Sequence, residues 1–451
     1  MKKALYSLIA GILFSICAVS AAEAGNVRVS ANLDKPYLLA GEEETVVLKV
    51  GLSAEPGNDK IERPPINIAV VLDKSGSMGS EQKIERAKEG VFEIIERLNE
   101  GDILSVVVYD TYPRVLIPAQ PVKDKSGIIN MVSGIYASGS TALYGGIELG
   151  ADELRKYASD YCLNKVVLLS DGLANVGPQS TEDLASLGRT LSSEGVIVST
   201  IGVGLDYNED LMTALAQESG GNSYFARDSY ELPKIFAEEL NEAMTIAARN
   251  INLYVDTEKG VEPMGVIGRM GEAGDKYFKA QINALYGKNE KYALFEMKVP
   301  KATHGASRQV ADVRVEYTDP ATGKIVRSSQ KISVQYSKDA DFVFSKEDKS
   351  ILKETALTKT SQIKNKAIKL ADEGKYDAAA SYLSEQSSTL EKVASQCNND
   401  KDVKEEAKHL NWLSGNISSN KGFSKVLRKS VVSESFSQVN QQAYDPGKER
   451  K

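Results

Sequence analysis

Apolar and polar positions follow different periods along this chain of 451 residues, and each change of period marks a change in expected architecture. Residues 27–65 alternate with period two, as in Val27-Arg28-Val29-Ser30 and Thr45-Val46-Val47-Leu48-Lys49-Val50, which predicts β-strands. The stretch 54–65, with Pro56-Gly57 and Pro64-Pro65, reads as a loop. Beyond it, 66–72 is an almost unbroken apolar run, as expected of a strand buried on both faces. Residues 83–99 then place Ile84, Ala87, Val91, Ile94, Ile95 and Leu98 on one side of a helix. Further buried strands are expected at 103–109, 165–170 and 196–203, with helices at 143–157, 181–193, 208–218 and 231–248. Such alternation predicts an α/β fold, a doubly wound, mostly parallel sheet covered on both faces, because right-handed crossovers place helices there.

From 250 to 337 the period returns to two, at 251–255, 277–282, 292–299, 310–317 and 332–336, and a β-sandwich is the natural reading. The strands within 25–65 are too few to bury a face of their own, so they are expected to join that sandwich, with 66–249 inserted between its two parts. The alternative is two independent β pieces. Residues 338–418 read as helical: Leu352, Ala356, Ile363, Ala367 and Leu370 keep a spacing of three to four, Gly374 interrupts, and Ala379, Leu383, Leu390 and Val393 resume. The segment 367–383 resembles one tetratricopeptide-like hairpin; a solenoid needs about three repeats, so docking on the β-domain is expected over a free partner-binding arm. The remainder, 419–451, is polar and reads as a flexible tail.

Composition adds a cellular address. Lys2 and Lys3 precede an apolar run from Ala4 to Ser20, and Ala22-Glu23-Ala24 fits the small-x-small cleavage rule, so 1–24 reads as a signal peptide cut after Ala24. No later segment approaches the ~20 apolar residues of a membrane span, and a periplasmic or secreted location without an anchor is expected. With 42% hydrophobic and 26% charged residues the chain has a globular composition and a net charge of −7. Removing 1–24 takes two of the 55 basic and one of the 62 acidic residues, leaving 53 against 61, or −8. That balance offers no basic surface for nucleic acid. Two cysteines would remain, Cys162 and Cys397; an oxidising compartment permits a bridge between them, and two separate thiols are the alternative.

The candidate chemistry begins at Val70-Val71-Leu72-Asp73-Lys74-Ser75-Gly76-Ser77-Met78, where a buried strand ends in a carboxylate followed by two hydroxyls. Ligands of open α/β sheets bind beyond the carboxyl ends of the strands, where this loop lies. Ser138-Gly139-Ser140-Thr141 places another hydroxyl ahead of a helix, and Leu168-Leu169-Ser170-Asp171-Gly172 ends a second buried strand in a carboxylate. Hard oxygen donors with only two negative charges suit a small divalent cation, Mg²⁺ first, with Ca²⁺ or Mn²⁺ as alternatives.

Asp-x-Ser-x-Ser, then a Thr, then Ser-Asp-Gly, in this order on alternating strands and helices, resembles the von Willebrand factor A domain family over about 66–248. The likeness extends to Tyr109-Asp110 and to Ile201-Gly202-Val203-Gly204. It implies a metal-ion-dependent adhesion site: Ser75, Ser77 and Thr141 as hydroxyl ligands, Asp73 and Asp171 bound directly or through water, and an open position for a partner's acidic side chain. The whole layout resembles exported bacterial proteins of this family, of the calcium-activated chloride channel-like type.

Other signals carry less. The segment 76–83 lacks the spacing of a phosphate loop. Asp206, Glu209 and Asp210 form an acidic cluster with two readings, a second cation site and, preferred, solvated loop charges at a helix N-terminus. The two histidines, His304 and His409, are far apart in sequence, which removes His-Glu-x-x-His zinc chemistry and disfavours a Ser-His-Asp triad. The expectation is therefore a non-enzymatic exported protein that binds an acidic protein partner through a metal. Its rivals are an assembly factor with metal-dependent self-association and a hydrolase using the same cation as a Lewis acid.

Overall fold

The computed structural model describes residues 23–24, 27–54, 63–159, 162–287 and 289–444; the expected signal cleavage and most of the loop 54–65 lie outside them. Glu23–Ala24 is a two-residue strand paired with Val27–Leu33.

Ile66–Asp73 is buried at every position and forms the centre of a six-stranded sheet. It pairs in parallel with Ile103–Tyr109 on one side and with Leu163–Ser170 on the other. Val196–Val203 and then Ser223–Ala226 extend the sheet beyond Leu163–Ser170, also in parallel. Pro113–Pro121 closes the opposite edge, antiparallel to Ile103–Tyr109. This is the doubly wound α/β fold. Helices Lys83–Arg97, Lys125–Ser133 and Leu232–Met244 cover one face through Ile84, Val91, Ile94, Leu232, Ile235 and Phe236. Leu143–Arg155, Thr181–Ser193 and Glu209–Ser219 cover the other. The chain leaves the central strand in one direction and Leu163–Ser170 in the other, so a crevice opens between their carboxyl ends.

Two further sheets pack face to face. One has five strands, among them Val27–Leu33, Glu44–Ala54, Glu290–Val299 and Glu262–Ile267. The other has six, including Tyr37–Leu39, Ile246–Thr257, Tyr277–Tyr286, Ser307–Thr318 and Ile325–Ser337. Glu44–Ala54 runs antiparallel to Glu290–Val299 from Glu44↔Val299 to Ser53↔Glu290, and Tyr37–Leu39 lies parallel to Ile325–Ser337. Strands from before and after the α/β region therefore share both sheets. Inward residues such as Val46, Leu48, Val50, Leu253, Phe278, Phe295 and Val315 fill one common core.

The helical region comprises Ala340–Ser345, Lys349–Asp372, Tyr376–Gln396, Lys401–Asn420 and Lys425–Val439. It docks on the sandwich, with Ile351 against Val47, Ile267 and Leu294, and with the ion pairs Lys49–Glu354 and Lys359–Glu296. The tail needs correction. Lys425–Val439 is an ordered helix, N-capped by Ser424, that buries Val431, Val432 and Phe436. Its polar sequence is matched by partners on the α/β unit and at the end of Lys349–Asp372, which the chain pattern alone does not reveal. Arg428 pairs with Glu209, Asp210 and Asp372, Lys429 with Glu209, and Lys425 with Asp206. Within the acidic cluster at 206–210, Glu209 is buried as a docking point for this helix, while Asp206 stays exposed and Asp210 half-exposed. Cys162 and Cys397 are separate free thiols.

Candidate metal centre

Asp73 ends the central strand and Asp171 follows Leu163–Ser170, so the two carboxylates flank the crevice, and both are buried. Asp73 Oδ1 accepts from the Ser75 amide at 2.8 Å and Oδ2 from the Ser170 hydroxyl at 2.8 Å. The turn this creates sets Ser75 Oγ 3.1 Å from Ser77 Oγ, and Ser77 Oγ donates to Asp171 Oδ1 at 2.6 Å. The third piece arrives through the backbone: Gly76 N donates to Gly139 O at 3.0 Å, and Ser138 N to Lys74 O at 2.6 Å. Gly139 sits at φ +79°, where its missing Cβ lets the 138–141 loop turn back against Asp110 and Thr111. Thr141 is fixed by its amide, which donates to Asn175 Oδ1 at 2.8 Å. A Cβ on Gly172 would lie 3.4 Å from Thr141 Oγ1 and 3.7 Å from Ser77 Oγ, so these hydroxyls face one point. All five sequence-identified side chains converge.

Lys83 is a site residue the sequence did not reveal. It opens the helix Lys83–Arg97, and its ammonium, buried with its carboxylate partner, donates to Asp171 Oδ2 at 2.9 Å. A second lysine, Lys74, pairs with Asp110 and donates to Ser138 Oγ at 3.0 Å.

Asp73 differs from Asp171 in having no lysine or arginine on it among the described residues. Burial pushes its carboxyl up to about 6, and the nearby charge of Asp171 adds to this, while hydrogen bonds from Ser75 and Ser170 oppose it. A buried carboxylate without a counter-charge is costly, and such groups are ordinarily paired or metal-bound. Oxygen-only donors around an unneutralised carboxylate fit a hard divalent cation. Asp73, Ser75, Ser77, Thr141 and Asp171 would hold it, and it would supply a Lewis-acidic position facing solvent.

The loops around this crevice carry exposed apolar side chains: Tyr112, Tyr136, Leu173, Leu205 and Tyr230. Each is tied to the site. The Tyr112 amide donates to Asp110, Tyr136 lies under the Lys74 ammonium at 5.8 Å, Leu173 follows Asp171-Gly172, Leu205 follows Gly204 beside Lys83, and Tyr230 stacks on Arg86 at 4.1 Å. Both histidines lie elsewhere, His304 against Lys338 in the sandwich and His409 against Trp412 in the helical region.

The family model of the von Willebrand factor type A domain matches residues 67–238. Curated relatives include an uncharacterized Synechocystis protein, 24% identical over 61% of this chain and 67% of its own length. The uncharacterized Escherichia coli protein YfbK is 26% identical over 48% of this chain, and a heavy chain of human inter-alpha-trypsin inhibitor 28% identical over 50%. The matched regions span 37% and 28% of those two proteins. Among solved structures, a von Willebrand factor type A protein from Catenulispora acidiphila superposes with a TM-score of 0.67 at 17% identity, covering 86% of this chain and 96% of its own. An ArnB paralog, VWA2, from Sulfolobus acidocaldarius superposes at 0.62 and 20% identity, covering 92% and 98%. These two share the fold across the sandwich and helices as well as the α/β unit. Residues 67–238 of this chain form a von Willebrand factor type A domain, carried between the two parts of a sandwich.

Proposed function

We propose that this protein is a non-enzymatic binding protein whose metal face takes an acidic side chain of a protein partner. The observation that carries the reading is Asp73, a buried carboxylate with no lysine or arginine of its own among the described residues, beside converging hydroxyls and a second carboxylate. A divalent ion there, most simply Mg²⁺, keeps one outward position for the partner's oxygen. The five exposed apolar side chains give the partner a surface around that contact, as protein interfaces favour aromatic anchors around a polar centre. No helix among the described residues is long and apolar enough to cross a membrane. The leader-like N-terminus supports export to the periplasm or medium.

The test uses the immobilised protein and extracts of the cells that make it, in Mg²⁺ and in EDTA. A partner retained in Mg²⁺ is expected to be released by chelation and lost with Asp73→Ala, while the variant keeps its circular dichroism spectrum. Retention that survives both chelation and Asp73→Ala would refute the reading.

A further inference from the structure

We propose that Lys83 sets the charge balance of the metal face, weakening its hold on the cation in order to strengthen its hold on an anionic ligand; this rests on the metal-binding reading above. Three independent features place the ammonium there. Glu81 and Gln82, neither of them glycine, both adopt left-handed φ angles of 52° and 56° immediately before Lys83, a conformation that costs energy. Gly204, at φ +75°, is where a Cβ would come within 3.4 Å of Lys83 Nζ and 3.5 Å of Cε, so its bare backbone makes room for the side chain. Asp171, itself buried, accepts the ammonium on Oδ2 while its Oδ1 faces Ser77.

The charges can be followed one by one. Asp73 and Asp171 bring two negative charges and Lys83 one positive charge, because Lys74 is already matched by Asp110. The site is therefore at −1, and a divalent ion takes it to +1. A partner carboxylate then restores neutrality. Without Lys83 the same site would start at −2 and reach neutrality on metal binding alone. The cation would be held more strongly, and the anion would gain little from joining it. Charges a few ångströms apart at a buried site interact strongly enough to decide both equilibria.

A purely structural lysine makes the opposite prediction for the metal. If Lys83 served only to hold Asp171 in position, removing it would loosen a ligand and weaken metal binding. The experiment titrates the full chain with Mn²⁺, reading free ion by electron paramagnetic resonance. The Mn²⁺-loaded protein is then titrated with N-acetyl-aspartate amide, reading water-proton relaxation. Lys83→Met is expected to bind Mn²⁺ on the order of tenfold more tightly and the carboxylate probe on the order of tenfold more weakly. Lys83→Gln, which retains a donor for Asp171 but no charge, is expected to follow Lys83→Met, and Lys83→Arg to restore both constants toward wild type. Measuring Lys83→Gln in parallel keeps the result decisive if Lys83→Met folds poorly. Weaker Mn²⁺ binding by the neutral variants, or an unchanged carboxylate affinity, would overturn the role of Lys83 and leave the metal site standing. Absence of Mn²⁺ binding to the wild-type chain would instead remove the metal reading, and the role of Lys83 with it.

Discussion

The strand Leu163–Ser170 has a buried charge system near each end, and the two are completed differently. Near its start, Lys165 is fully buried and paired with the equally buried Glu239, with Tyr286 Oη 3.5 Å away. Asn222 donates to Glu239 at 3.0 Å and to Glu242 at 2.8 Å, and the Tyr224 hydroxyl donates to Glu239 at 2.6 Å. Burial pushes the Glu239 carboxyl up, but the Lys165 charge and these hydrogen bonds outweigh it and leave it lowered. Just past the other end lie Asp73 and Asp171, of which Asp171 alone has a lysine, Lys83, and Asp73 is raised to about 6. One system joins the α/β unit to the sandwich and gives Glu239 a lysine of its own, while the neighbouring Glu242 is pushed up by burial and by the charge of Glu239. The other is left one cation short at a crevice that opens to solvent. A buried carboxylate with its own lysine thus ties two units together at one end of the strand, and a buried carboxylate without one stands at an open crevice at the other.

The largest break in this comparison comes from the closed end. Lys165→Met removes the counter-charge of Glu239 and is expected to cost about 3–5 kcal/mol in chemical denaturation, as for other buried pairs deprived of one partner. Metal affinity should be untouched. At the open end the sign reverses. With chelator present, Asp73→Asn removes an uncompensated buried charge and is expected to stabilise the chain at neutral pH by up to about 3 kcal/mol. Because the folded chain holds its proton up to about 6 against an ordinary 3.8, wild-type stability from this group falls as pH rises through that window, and Asp73→Asn lacks the slope. Thermal melts in EDTA from pH 4 to 7 check both the gain and its pH dependence. The smallest effect is expected from the partly exposed cluster under the last helix. Arg428→Ala should cost about 1 kcal/mol and raise amide exchange within Lys425–Val439 before anything else opens.

Lys83 also bears on which substitution best probes Asp171. Asp171→Ala would strand a buried ammonium, so loss of folding and loss of ligand would be confounded, whereas Asp171→Asn keeps an oxygen acceptor for Lys83.

Much of this was legible in the sequence because it rests on period and on strand ends. Runs buried on both faces marked four of the parallel strands, and carboxylates and hydroxyls placed just after them had to meet at one edge of the sheet. Pro113–Pro121 escaped notice since Pro113, Pro118 and Pro121 argue against a strand; on an edge, where one side needs no donors, they are tolerated. Ser223–Ala226 is too short to show a period. The helix Lys425–Val439 carries four serines among its fifteen residues, and its order comes from ionic partners on a distant segment together with the burial of Val431, Val432 and Phe436. Lys83 reads as an ordinary helix residue, since the left-handed backbone before it and the space at Gly204 have no signature in residue spacing.

The way the chain enters and leaves the metal-bearing unit has a mechanical meaning. It comes in from Glu44–Ala54, in the five-stranded sheet, and goes out from Leu232–Met244 through Thr245 directly into Ile246–Thr257, in the six-stranded one. A pull applied at the crevice is therefore divided between two sheets packed across a common core, and neither tether can peel away without shearing that core. The metal-bearing tip is in this way anchored like a two-legged bracket.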